Sequence, residues 1–382
     1  MNLRVGFGAT VWAKGVAHQA LDGIGYYTQS LAQALEASHV DCHPVAFGQS
    51  NASLQKNSIF QNAVESGPHY QWSVLRSVVT GANCSVASSL RGCIDVFHAT
   101  DHHIPKLKGI PVVATLMDAI PLSHPEWGNP QLRWLKNALW KKTVTWADQV
   151  ITISEFSKAE IVQHFGIPAD RIKITYLGVD EKYSIPIPAH LKAATLQKFK
   201  LERPFFLCVG TLQPRKNIQR LLIAFDNLPD SVKAHFDLII VGRHGWGVEN
   251  LVTQLTQLSH NPNAHVKWLG GVSEADKLAL LQSATSLVFP SLSEGFGLPL
   301  VEGFASGTPV IASNTTSLGE VAGSAALGFN PLQTEALTQA MQTMADNPDL
   351  RSEFAQKGRA RAAEFTWAKC AAQTQHIYRS MV

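Results

Sequence analysis

Phe205-Phe206-Leu207-Cys208-Val209-Gly210-Thr211-Leu212-Gln213-Pro214-Arg215-Lys216-Asn217-Ile218-Gln219-Arg220-Leu221-Leu222 reads as a strand, a turn and the start of a helix. The apolar run ending at Val209 suits a strand buried on both faces, and Gly210 with Pro214 breaks it. Asn217 suits the N-cap of the helix that follows. Arg215 and Lys216 lie in the turn, at the carboxyl end of the strand, where an open α/β sheet binds its ligand. Arg can grip phosphate with two parallel donors and Lys acts as a compact charge, so the pair suits an anion. A solvated basic turn is the competing reading of these two residues.

The same alternation of short β-branched runs and helical patterns extends in both directions. After Pro204, strands are expected at Phe205–Val209, Leu238–Val241, His265–Leu269, Ser286–Phe289 and Val310–Ala312. Before it, strands are expected at Leu3–Phe7, Pro44–Phe47, Ile94–His98, Val112–Thr115, Gln149–Ile153 and Lys173–Tyr176, with helices over Ile24–Ala37, Gln131–Trp146 and Ser157–Phe165. Lys182–Pro204 breaks the rhythm, and its Pro186 and Pro188 suit a linker. The expected architecture is α/β, with two doubly wound Rossmann-like domains and a ligand cleft between them. The divisions are 1–185, a linker at 186–203, 204–365, and a C-terminal helix at 366–382 able to cross back to the N-terminal domain.

Composition excludes several classes. The 382 residues carry a net charge of +3 with only 16% charged side chains, below the roughly 25% of an average protein. That argues against a strongly basic nucleic-acid binder and against an acidic disordered tail. No apolar stretch reaches the length of a membrane span. The opening Met1–Trp12 segment carries Arg4 and reads as a first strand, not as a signal peptide. The five cysteines are scattered and never spaced C-x-x-C, which argues against a disulfide framework or zinc site and fits a reducing cytoplasm.

The densest motif is Ser293-Glu294-Gly295-Phe296-Gly297-Leu298-Pro299-Leu300-Val301-Glu302, after the apolar run Ser286–Pro290. Gly295, Gly297 and Pro299 prevent one helix from spanning both carboxylates. Glu294 therefore belongs to the turn and Glu302 to the early helix. Backbone N–H groups around Gly297 and Leu298 at the helix start suit a diphosphate, and glycine lets the ligand approach closely. A glycine-rich turn with a solvated Glu294 and a capping Glu302 is the alternative.

These two motifs together resemble the large retaining glycosyltransferase family 4, which includes sucrose-phosphate synthases and bacterial lipopolysaccharide mannosyltransferases. The similarity extends over nearly the whole chain, through Gly23–Leu35, Asp95–Pro105, Ala147–Ile161 and Gly307–Gly323. It implies the two-domain GT-B fold. It also implies that Glu294 contacts the donor sugar, Glu302 the ribose and Lys216 the diphosphate, with Gly210, Thr211, Gly295, Phe296, Gly297 and Leu298 around them. Relatives often carry Arg directly after the strand glycine; Thr211 stands there, and Arg215 would supply the charge. Val272, Glu274 and Lys277 resemble the base-contacting segment, and Gly23 and Gly25 the N-domain loop near the phosphates.

Many relatives have His-Asp where this chain has Met117-Asp118, which leaves Asp118 as the catalytic candidate. His98 and His103 are candidates for the acceptor side. His98, Asp101, His102 and His103 could also ligate a metal, but the family generally works without one and no metal is expected. The helix at Leu132–Trp146 carries Arg133, Lys136 and Lys141 with Trp134 and Trp140, a composition able to lie on an anionic membrane surface. Its Leu132, Leu135 and Leu139 side suits ordinary core packing.

The expected function is transfer of a hexose, first mannose from GDP-mannose, to a glycan or lipid-linked glycan hydroxyl in cell-surface polysaccharide synthesis. The enzyme would be cytoplasmic, and its partners would include the inner-membrane surface. Rhamnose, fucose or glucose nucleotides are alternative donors. A nicotinamide oxidoreductase would share the fold class, but no G-x-G-x-x-G follows the first strand. A nucleotide-sugar binding protein without turnover is the other rival.

Overall fold

The computed structural model describes residues 3–18, 21–48, 59–128 and 130–382. The chain divides into two compact units: Met1–Ser123, Pro130–Gly178 and Trp367–Val382 in the first, His124–Asn129 and Val179–Thr366 in the second.

Among the described residues, the first unit holds seven parallel strands: β1 (Arg4–Gly8), β2 (Asp41–Phe47), β3 (Glu65–Gly67), β4 (Val96–Ala99), β5 (Val112–Thr115), β6 (Gln149–Thr152) and β7 (Ile172–Ile174). Their order is β3-β2-β1-β4-β5-β6-β7. The central strands β1, β4, β5 and β6 are almost wholly buried, as expected for parallel strands covered on both faces. The helix Gly23–Ala37 starts where the Asp22 carboxylate accepts the Gly25 N–H at 2.8 Å. It buries Tyr27, Leu31 and Leu35, one stripe at helical spacing.

The last helix, Trp367–Arg379, packs on Gly23–Ala37. Its Tyr378 hydroxyl lies 2.6 Å from His98 Nδ1. His98 Nε2 lies 2.7 Å from the Thr115 hydroxyl, which in turn meets the Tyr27 hydroxyl at 2.9 Å. All four side chains are buried. Each hydroxyl can donate or accept, so a neutral imidazole is satisfied at both nitrogens. Burial lowers the His98 pKa to about 3. The unfolded imidazole gains its proton near pH 6.5, the folded one only near 3. Stability is therefore expected to fall as pH drops through that window, by up to about 1.4 kcal/mol per pH unit. Urea unfolding between pH 7 and 4 checks this; His98→Gln should show a flatter profile, and identical profiles would remove His98 as the cause.

The second unit holds six parallel strands among the described residues: β8 (Phe205–Val209), β9 (Asp237–Val241), β10 (Val266–Trp268), β11 (Ser286–Phe289), β12 (Val310–Ser313) and β13 (Leu327–Phe329). The order β10-β9-β8-β11-β12-β13 reverses between β8 and β11. The loops after those two strands therefore open at a topological switch point. The helix Ile218–Asp226 buries Ile218, Leu221, Leu222 and Phe225 against this sheet.

Three expectations need correction. The 186–203 stretch is not an unstructured linker: it contains the helix Ala189–Lys198, which packs on Glu274–Leu281 and joins it through a Lys198–Asp276 pair at 2.7 Å. Pro188 stands at its N-cap and starts the helix without breaking it. Gln282 fixes the approach, donating to the Ile185 carbonyl and accepting the Ile187 N–H. Asn217 occupies the cap position of Ile218–Asp226 with φ +58°, but its side chain does not cap. Its amide donates to the Pro290 and Pro331 carbonyls at 3.1 and 2.9 Å, tying the turn after β8 to the end of β11. Finally, Leu132 at the N-cap of the helix Arg133–Val144 and Leu135 within it are exposed and Leu139 is half-buried, while Thr143 and Val144 are buried.

Candidate active site

Lys216 and Glu294 follow adjacent strands, β8 and β11, and meet at the switch point. The Pro214–Lys216 turn is closed by Lys216 N–H donating to the Gln213 carbonyl at 2.9 Å. The Arg215 carbonyl accepts the Leu292 N–H at 2.7 Å, which locks this turn to the segment carrying Glu294. Lys216 Nζ then donates to Glu294 Oε1 at 2.5 Å, and Arg215 Nη1 to Glu294 Oε2 at 2.5 Å. Arg215 also donates to the Ser293 carbonyl and to Gln213 Oε1, which fixes its plane. The Ser317 hydroxyl donates to the Glu294 carbonyl at 2.7 Å.

Glu294 is 6% exposed and Lys216 9%. Burial alone would raise the Glu294 pKa, but Lys216 and Arg215 outweigh it and bring the value down to about 2. The carboxylate is therefore ionised at any physiological pH. Burial, helped by the like charge of Arg215, draws the Lys216 pKa down against the pull of Glu294. Lys216 Nζ also sits 4.8 Å from the Phe289 ring centroid, a cation–π contact. The centre thus combines two cations and one anion, with one cation on each carboxylate oxygen.

Gly297 carries φ +95°, and a Cβ there would come within 2.5 Å of Leu318 Cδ2. Both facts require glycine at this turn. The helix Leu298–Ala305 starts immediately after it, and its first intrahelical bond is Leu300 N–H to the Gly297 carbonyl at 2.9 Å. The Gly297 and Leu298 N–H groups lie upstream of that bond, at the positive end of the helix.

Glu302 projects from the same helix, buried, and accepts from Lys277 Nζ at 3.1 Å. Lys277 also pairs with Glu274 at 3.0 Å, and Glu274 accepts from the Tyr183 hydroxyl at 3.0 Å and pairs with Lys182. Burial pushes the Glu274 pKa up, but Lys277, Lys182 and the Tyr183 hydroxyl together hold it below its ordinary value. Ser273 caps the helix Glu274–Leu281 through the Asp276 N–H. Lys277 thus joins Glu274 and Glu302, and Val272 directly precedes the Ser273 cap in sequence. The sequence reading misses Ser317, Lys182 and Tyr183, whose side chains hold the expected residues; Ser317 lies inside the Gly307–Gly323 block, but nothing in that block marks a support for Glu294.

In the first unit, Gly23 opens its helix and Gly25 receives the Asp22 cap. Asp118 is half-buried and accepts the Ile120 N–H at 3.0 Å, and Met117 beside it is half-buried. His98 does not present itself to a ligand: β4 turns it into the core against Tyr378, which corrects its expected acceptor-side placement. Asp101 and His103 form a separate buried pair. Asp101 Oδ1 accepts the His103 N–H at 2.7 Å and lies 2.8 Å from His103 Nδ1, while Oδ2 accepts the Val11 N–H at 3.0 Å. Burial opposes the Asp101 charge, but His103, His102 and the His103 backbone N–H hold its pKa well below the usual carboxylate range. Asp101, His102 and His103 have potential ligand atoms within 4.8 Å of one another. Both Asp101 oxygens are engaged by protein donors, and Oδ1 holds the His103 imidazole.

Two family descriptions match the chain: "Glycosyl transferases group 1" over residues 194–361 and "Glycosyltransferase Family 4" over residues 21–183. The O-antigen chain mannosyltransferase B of Escherichia coli is 32% identical over 74% of this chain and 74% of its own. HepE of Anabaena, solved with UDP and glucose, superposes with a TM-score of 0.76 at 18% identity, covering 99% of this chain and all of that one. Sucrose-phosphate synthase of Thermosynechococcus elongatus gives 0.74 at 18% identity, covering 100% and 99%. The fold is that of the GT-B enzymes, and the protein is a glycosyltransferase. It belongs to glycosyltransferase family 4.

Proposed function

We propose that this enzyme transfers mannose, with retention, from GDP-mannose to a hydroxyl of a glycan or lipid-linked glycan in cell-surface polysaccharide synthesis. The observation that carries the reading is the Arg215–Glu294–Lys216 centre at the switch point, beside the start of the helix Leu298–Ala305. Departure of a nucleoside diphosphate from an oxocarbenium-like carbon needs positive charge at the leaving oxygens. Arg215, Lys216 and the Gly297 and Leu298 N–H groups supply it. Glu294, ionised and anchored, accepts from donor-sugar hydroxyls and stabilises the cationic carbon. Glu302 accepts from the ribose, with Val272, Glu274 and Lys277 around the base. Retention follows if the acceptor attacks the face the diphosphate leaves, with a phosphate oxygen taking its proton. Asp118 and the Asp101-held His103 are assigned to the first unit's part in the reaction, His103 on the acceptor side. Mannose is preferred because the similar Escherichia coli protein bears the name of an O-antigen mannosyltransferase.

Among the described residues, no helix is long and apolar enough to cross a membrane. Trp134 is 74% exposed, and exposed Lys141 lies two turns on along the same side of the helix, a face suited to peripheral attachment at an anionic inner-membrane surface from the cytoplasm. A panel of GDP-, UDP- and dTDP-sugars, read by released nucleotide and product mass with a lipid-linked acceptor, tests the proposal. Transfer from GDP-mannose with an α-linked product supports it; release only from another donor, or nucleotide binding without product, refutes it.

Two further outcomes are expected. Activity should survive exhaustive chelation with EDTA and gain little from Mg²⁺ or Mn²⁺, because cations and helix N–H groups already surround the diphosphate position and disfavour a divalent ion. Complete loss with EDTA and recovery with Mn²⁺ would overturn the cation-lined centre. Glu302→Gln should weaken GDP binding itself, by on the order of 1.5–3 kcal/mol. Titration calorimetry checks this, and unchanged affinity would remove Glu302 from the ribose.

A further inference from the structure

The loop after β9, Gly242-Arg243-His244-Gly245-Trp246-Gly247, has no role in the assignments above. It is built into the wall of the same site. A Cβ on Gly242 would lie 1.8 Å from the Gly210 carbonyl oxygen, so the ends of β8 and β9 touch backbone to backbone. Leu212 N–H donates to the Arg243 carbonyl at 2.9 Å, and Leu212 bridges His244 in parallel register. Arg243 is thereby fixed beside the turn that carries Arg215 and Lys216.

On its other side the Arg243 side chain lies across Gly271. A Cβ at Gly271 would be 2.8 Å from Arg243 Cγ and 3.0 Å from its Nε. Glycine leaves room for the stem, and the stem is held against the backbone directly before Val272. Arg203, Arg215 and Arg361 are paired with carboxylates, whereas among the described residues exposed Arg243 shows no such pair. A positioned, unneutralised guanidinium therefore stands next to the segment assigned to the nucleobase.

We infer that Arg243 reads the base of the donor nucleotide and selects guanine by offering its planar fork to the O6/N7 edge. This rests on the GDP-mannose reading and deepens it. Guanine presents two acceptors at the spacing of the guanidinium fork. Uracil has O4 but no N7, so one donor is left without a partner. Adenine pairs N7 with an amino group, which cannot accept the second donor. Packing against Gly271 restricts the side chain before binding, so less rotamer freedom is lost when the fork engages.

The test is calorimetric titration of GDP, UDP and 7-deaza-GDP, which lacks the N7 acceptor, into wild type and Arg243→Lys. Lysine keeps the charge and loses the fork. Wild type should bind GDP more tightly than UDP. Arg243→Lys should weaken GDP about tenfold or more while leaving UDP nearly unchanged. Wild type should bind 7-deaza-GDP about as weakly as Arg243→Lys binds GDP, with little further loss when both changes are combined. Matching melting curves confirm that the exposed substitution leaves the fold intact. An unchanged GDP-to-UDP ratio in the variant, or equal losses on both nucleotides, overturns base reading by Arg243 while leaving the donor reading standing. Tighter binding of UDP by wild type overturns both at their common root.

Discussion

Glu294→Gln is expected to lower sugar transfer by roughly 10²–10³-fold while leaving GDP affinity unchanged or tighter. The asymmetry follows from its partners. The Glu294 carboxylate takes one contact from Arg215 and one from Lys216, each at 2.5 Å. Removing its charge would lose the anion proposed to support the donor sugar, yet free two cations for the proposed diphosphate position. A neutral amide of the same shape keeps the Ser317 contact to the Glu294 carbonyl, which is a backbone group. Turnover and nucleotide titration on the same preparation decide the matter. Normal transfer accompanied by weaker GDP binding would assign Glu294 to the nucleotide and not to the sugar.

Lys216→Ala is expected to lose affinity and rate together. The proposed charge-assisted contact to the diphosphate would be worth on the order of 1.5–3 kcal/mol, and loss of leaving-group stabilisation should cost a further 10²–10³-fold or so in turnover. The substitution also leaves the buried Glu294 with Arg215 as its remaining cation, so melting should be measured beside activity. Lys216→Arg separates charge from shape: a planar fork in a slot shaped for an ammonium should recover part of the affinity and little of the rate. GDP affinity equal to wild type in a folded Lys216→Ala protein would exclude Lys216 from the diphosphate site.

Much of this centre was legible in the order of residues. Gly297 and Pro299 between two carboxylates force one into a turn and one onto a helix, and both lie where that pattern requires. The pairing of Glu294 with Arg215 and Lys216 was not legible. It depends on β8 lying next to β11, a sheet order that local periodicity cannot specify. His98, Asp101 and His103 looked like one cluster because they are close in sequence. A strand sends alternate side chains to opposite faces, and the chain turns after Ala99, so His98 enters the core while Asp101 holds His103 elsewhere. The helix Ala189–Lys198 was hidden by the prolines before it, since the same residue that ends one helix can start another. The short strand β3 carries only Glu65–Gly67 and offers too few residues for a pattern to register.

The first unit is completed by the last stretch of the chain, Trp367–Val382, after the whole of Val179–Thr366 has intervened. On a ribosome the order of emergence is therefore not the order of completion. At about 5–20 residues per second, translation of the intervening segment takes on the order of 10–40 s. Throughout that interval the nascent first unit holds His98 without Tyr378 and the Gly23–Ala37 helix without the surface that covers it. The second unit can close before Trp367–Val382 is made; the first must wait for that segment. Chaperone dependence in the living cell should accordingly fall on the nascent amino-terminal part. Released chains truncated just before Trp367 should be protease-sensitive in the amino-terminal part and resistant in the later half.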